Sequence, residues 1–166
     1  MILGLSTSTF TTVHVIISLV GIVSGAVVLY GMLNERRFNG LTEIFLVTTI
    51  LTSVTGFFFP SDHILPSHIV GIISLVLLAA AVIALSIYHL AGFWRLVYIV
   101  GAVMAFYLNV FVAVVQSFQK LPFFHSLAPT QSEPPFLIAQ ILVLVIFVVL
   151  GFLAAKRFHP PIDAHA

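Results

Sequence analysis

Residues 10–33 read FTTVHVIISLVGIVSGAVVLYGML, a run without one charged side chain. An α-helix rises 1.5 Å per residue, so about 20 apolar residues cross a hydrocarbon layer of about 30 Å, and this run is long enough. In lipid every backbone N–H and C=O must find its partner inside the chain, which makes helix the state to expect. Four further stretches of similar character follow, at 41–59, 67–89, 94–119 and 135–155. The expectation is an all-α, polytopic integral membrane bundle of five transmembrane helices, a single domain over 1–158 with a short flexible tail at 159–166. The first nine residues carry no Lys or Arg, unlike the basic start of a signal peptide, so the first helix is read as retained.

The composition agrees. Of the 166 residues 61% are hydrophobic and 7% charged, against roughly 45–50% and 25% in soluble domains. The net charge of +1 leaves no electrostatic footprint for nucleic acid. No cysteine is present, which removes disulfides, iron–sulfur ligation and thiolate metal sites. No phosphate-binding glycine loop, HExxH or serine-hydrolase motif occurs.

Turn residues separate the spans: Asn34 and Gly40 flank the first connection, Pro60 and Pro66 the second, Ala91-Gly92 the third. The connection at 120–134 is the longest and holds Pro122, Pro129 and Pro134. Arg36, Arg37, Arg95, Lys156 and Arg157 fall on one side of the bundle so drawn, and Lys120 alone on the other. Cytoplasmic loops retain positive charge, so the N-terminus is placed outside, the C-terminus in the cytoplasm, and the chain in a bacterial inner membrane.

Polar side chains are costly within spans and therefore informative. His14, His68, Asn109, Gln116 and Gln140 all map to the outer half of the bundle, as do Thr48, Thr52 and Thr55. His14, Ser18, Gly21 and Gly25 share one face of the first helix, and Gly21 with Gly25 forms a GxxxG pair suited to close approach. Tyr98, Ala102, Ala105, Asn109, Ala113 and Gln116 form a matching stripe on the fourth long segment. Glu43, near the start of the second segment, is read as a helix-dipole and ion-pairing residue.

Three chemistries could use this polar half. His14 and His68 at equal depth could ligate a haem b, which needs two imidazoles facing each other with small residues around the macrocycle. His14, His63, His68 and His125, with Asp62, could hold a transition metal. Asn109, Gln116 and Gln140, with the two histidines, could hydrogen-bond a quinone or another hydrophobic ligand. The competing expectation is a non-catalytic accessory subunit of a larger membrane complex, or a lipid-binding protein, whose polar residues only bridge helices. In the ligand-binding readings the 120–134 loop, with His125, Gln131 and Glu133, is expected to serve as a lid.

Overall fold

The computed structural model describes residues 1–60 and 66–160. Among them the chain forms six helices and no strand: α1 Thr7–Leu33, α2 Asn39–Gly56, α3 Pro66–Ser86, α4 Trp94–Lys120, α5 Pro122–Leu127 and α6 Pro134–Arg157. Four of these, α1, α3, α4 and α6, are long and apolar enough to cross a membrane. Five long helices stand close to the five stretches expected, while α5 divides the longest connection. The 159–166 tail lies mostly beyond the described residues, and so does the Ser61–Leu65 part of the α2–α3 connection.

Local chemistry sets the helix ends. Ser6 caps α1, its hydroxyl accepting the Thr9 N–H at 3.1 Å, which satisfies one of the orphan donors of the first turn. At the other end the Gly31 carbonyl accepts the N–H groups of Asn34 and Arg36. A Cβ on Gly31 would come within 2.8 Å of the Arg36 carbonyl oxygen, so the tight α1–α2 turn requires glycine there. Prolines open α5 and α6, where the missing N–H costs nothing.

Helix α2, at 18 residues, is the shortest of the long helices and the richest in hydroxyls. Thr48, Thr52, Ser53 and Thr55 each donate to the carbonyl four residues back, at 2.6–3.0 Å. This back-bonding hides polar groups that would otherwise face lipid or apolar neighbours unpaired.

Helix α4 is the hub, packing against α1, α2, α3, α5 and α6. Its long stripe of Tyr98, Ala102, Ala105 and Asn109 is buried, as its spacing predicts. Phe45, Met32, Leu78, Ile99 and Phe158 fill the half of the bundle nearest the α1–α2 turn, almost fully enclosed. Close approach depends on glycine: a Cβ on Gly25 would meet the rings of Phe106 and Phe45 at 2.9–3.0 Å. One on Gly101 would meet the Leu77 carbonyl oxygen at 2.7 Å.

The same end is tied by arginines. Arg95 Nη1 donates to the carbonyls of Ala155 at 3.0 Å and Phe158 at 2.7 Å, binding the start of α4 to the end of α6. A cation at a helix C-terminus also complements the helix dipole. Arg157 Nη1 reaches the Leu33 carbonyl at 3.5 Å, bringing the ends of α1 and α6 together. Arg36, Arg37, Arg95, Lys156 and Arg157 therefore lie at one end of the bundle and Lys120 at the opposite end, and α6 exposes Ile138, Leu142, Val145 and Phe152 beyond its one packed stripe.

Gly101→Val should push α3 from α4 against backbone, which cannot yield as a side chain can. The expected loss is about 1–3 kcal/mol, read as a lower unfolding midpoint in detergent. Gly40→Ala, where a Cβ meets nothing within 4 Å, should leave the midpoint unchanged or slightly higher.

Candidate functional site

The polar side chains of the less basic half sit in the seams between helices. His14, half-buried on α1, shares a 2.7 Å hydrogen bond between its Nδ1 and Thr55 Oγ1 on α2, and Phe59 packs edge-on against its ring at 5.2 Å. Ser18 Oγ donates to Asn109 Oδ1 across α1 and α4 at 3.3 Å. Ser53 Oγ donates to Ser74 Oγ across α2 and α3 at 3.2 Å. Gln140 Nε2 on α6 donates to the Phe111 carbonyl on α4 at 3.3 Å. Each pair joins two helices.

One place gathers three helices. Around Gly21 of α1, Asn109 Nδ2 of α4 and the Thr48 and Thr49 hydroxyls of α2 each lie 3.2 Å from where a Cβ would stand. Asn109 and Thr49 are buried, and Asn109 Nδ2 and Thr49 Oγ1 have no hydrogen-bond partner. Such atoms are costly in a low-dielectric interior, so this node is held by the packing around it and not by its own bonds.

The structure does not bring His14 and His68 together. Thr55 and Ser53 are two residues apart, about 200° around the helix, and they face α1 and α3 respectively. Helix α2 thus stands between the two, with His14 on the Thr55 side and His68 stacked on Phe57 at 5.5 Å. Phe57 also closes on Gly71, at 3.1 Å from its Cβ position.

The other residues disperse too. Gln116 continues the Asn109 stripe but is exposed, whereas Phe118, two residues on, is buried. Gln140 reaches α4 at Phe111, two positions and about 200° from Asn109. His125 is exposed in the last turn of α5, while His63 and Asp62 lie outside the described residues. Among the described residues no three His, Asp or Glu side chains gather as metal ligands would.

The long connection is folded down along α4. Phe124 packs on Phe118 at 5.2 Å, Ala128 is buried, and Gln131 Nε2 donates to the Val115 carbonyl at 3.2 Å. Glu133 closes the turn before α6, accepting from Thr130 Oγ1 at 2.9 Å and from the Thr130 and Ser132 N–H groups at 3.2 Å. Slight desolvation pushes its carboxyl up, but these bonds outweigh it and hold the pKa below the ordinary 4.5.

Sequence reasoning singled out Thr48, Thr52 and Thr55 on α2, whereas Thr49 is the threonine sealed in the node and Ser53 the one that reaches α3. Ser74 and Thr42 are buried and were not among the residues singled out. Their signal was present only as adjacency to apolar core positions. No protein-family model, curated protein or solved structure matches the chain.

A double-mutant cycle on His14→Ala and Thr55→Val should give a coupling of about 0.6 kcal/mol, and no more than about 1.7, the range of interhelical bonds in membranes. Gly21→Ala should cost more than either single change, since three polar side chains must move together. The carboxyl of Glu133 should titrate below the ordinary 4.5 in a carbon-13 NMR titration. Because its folded pKa is depressed, the turn it closes is intact above the unfolded value and loosens as pH falls through the folded one.

Proposed function

We propose that this chain is a multi-pass protein of a cell inner membrane, crossing five times, that serves as a non-catalytic accessory subunit of a larger membrane complex. The observation that carries the reading is the pairing of its interior polar groups: His14 with Thr55, Ser18 with Asn109, Ser53 with Ser74, and Gln140 with the Phe111 carbonyl. Bonds of this kind set helix register and leave few side chains to do chemistry. Helix α2 supplies the fifth crossing in this reading, since its Thr48, Thr52 and Thr55 hydroxyls donate to its own backbone and it packs against both α1 and α3. The five basic residues at one end support an outside N-terminus and a cytoplasmic C-terminus.

The membrane topology is testable because the chain has no native cysteine. Single replacements Ser132→Cys and Pro60→Cys should react with an impermeant maleimide in intact cells, and His159→Cys only after permeabilisation. Asn34→Cys, exposed in the α1–α2 turn, should also react only after permeabilisation, and labelling of Asn34→Cys and Pro60→Cys from the same side would remove the crossing by α2.

The accessory role predicts that the 18.1 kDa chain, extracted in mild detergent, travels in a larger particle with one constant stoichiometric partner. His14→Ala and His68→Ala should leave that particle colourless and intact. A lone chain carrying a Soret band that both substitutions abolish would replace this reading with a haem b redox protein; a lone chain that retains a quinone would replace it with a quinone-binding one.

A further inference from the structure

Near the basic end of the bundle a cavity of about 280 Å³ lies between α1 and α6. It is lined by Ala26, Leu29, Tyr30 and Leu33 of α1 and by Phe147 and Leu150 of α6, with Phe106 of α4 at its floor. Ala26 and Tyr30 are exposed, so the cavity opens sideways to whatever surrounds the bundle. Its volume lies near the lower edge of the roughly 300–1,000 Å³ of small-molecule sites. That suits one flexible chain. A transmembrane helix would need an interaxial approach of about 8–10 Å, and Tyr30 and Leu33 on the rim offer no small-residue stripe for it.

Charge identifies what fits the end of the cavity. Leu33 lines it, and Arg157 Nη1 sits 3.5 Å from the Leu33 carbonyl. A guanidinium carries five N–H donors, so one weak bond to a carbonyl leaves most of them for an anion. Arg157 follows Leu150 by seven residues on the same face of α6, roughly 10 Å further along at 1.5 Å per residue. Lys156 is turned away, its ammonium 4.5 Å over the exposed Phe152 ring about 200° around α6 from Leu150. A lipid lying along the cavity would thus place an acyl chain against apolar walls and a phosphate at Arg157.

We infer that the α1–α6 cavity is a binding site for an anionic glycerophospholipid, its acyl chain between the helices and its phosphate held by Arg157. The inference rests on the membrane reading and is independent of the accessory role. Basic pockets between helices at the cytoplasmic side suit anionic headgroups, and each Lys or Arg near the surface contributes about 1 kcal/mol, roughly fivefold in affinity.

Native mass spectrometry of the full chain in detergent, titrated with phosphatidylglycerol or with phosphatidylcholine of the same acyl chains, tests this. Phosphatidylglycerol should be retained at least about fivefold better. Arg157→Gln should lower its retention about fivefold and leave phosphatidylcholine unchanged, with Arg157→Ala as the second variant if the first loses helicity by circular dichroism, and Lys156→Gln should leave both lipids unchanged. Ala26→Phe, which fills the cavity from an exposed position, should weaken both lipids. Equal retention of the two lipids by the unaltered chain, or full retention of phosphatidylglycerol by Ala26→Phe, would overturn the site.

Discussion

Where Gly21 has only a hydrogen, three side chains close in. Asn109 Nδ2 from α4 and the Thr48 and Thr49 hydroxyls from α2 stand 3.2 Å from its absent Cβ, and one turn further along the rings of Phe45 and Phe106 close on Gly25 in the same way. In lipid the hydrophobic effect does not drive helices together, because acyl chains are as apolar as leucine. Association depends instead on how nearly backbones approach and on polar bonds made where they do. The seam of α1 with α2 and α4 meets both conditions. Moving it would break the Ser18–Asn109 bond and open the aromatic core behind it.

From that seam the two halves of the bundle take different characters. Towards the basic end the interior is dry and aromatic, with Phe45 edge-on to Phe106, Phe106 edge-on to Phe147, and Phe158 beneath Tyr98. Arg95 locks that end by holding two carbonyls of the α6 terminus and its exit. Towards the other end the helices are joined by single hydrogen bonds between small or medium polar groups. Individually these are weak, about 0.6 kcal/mol each. Their value lies in direction, since a helix that rotates or slides loses its bond and leaves a polar group bare in a low-dielectric seam.

The helices were legible because length and hydropathy determine whether a segment can be satisfied in lipid, and α1, α3, α4 and α6 rest on that constraint alone. The buried stripe of α4 was legible too, because small residues recur with helical spacing up to Asn109. What the sequence could not convey was azimuth between helices. Equal depth placed His14 and His68 at one level but said nothing of α2 standing between them. Gln116 shares a face with Asn109, yet it is exposed while Phe118, two residues on, is buried against Phe124 and Phe136. On α2 the polar spacing drew attention to Thr48, Thr52 and Thr55, while Thr49 is buried against Gly21 of α1 and Ser53 bonds to Ser74 of α3.

The central claim is that the interior polar groups join helices in pairs and do not serve a cofactor. Nitrogen-15 NMR of the histidine-labelled protein tests it most directly at His14, whose Nδ1 lies 2.7 Å from Thr55 Oγ1. The account predicts that Thr55→Val shifts the His14 Nδ1 signal, leaves His68 in place, and that added haem b or zinc moves neither. Joint displacement or broadening of the His14 and His68 signals when either is added would contradict it.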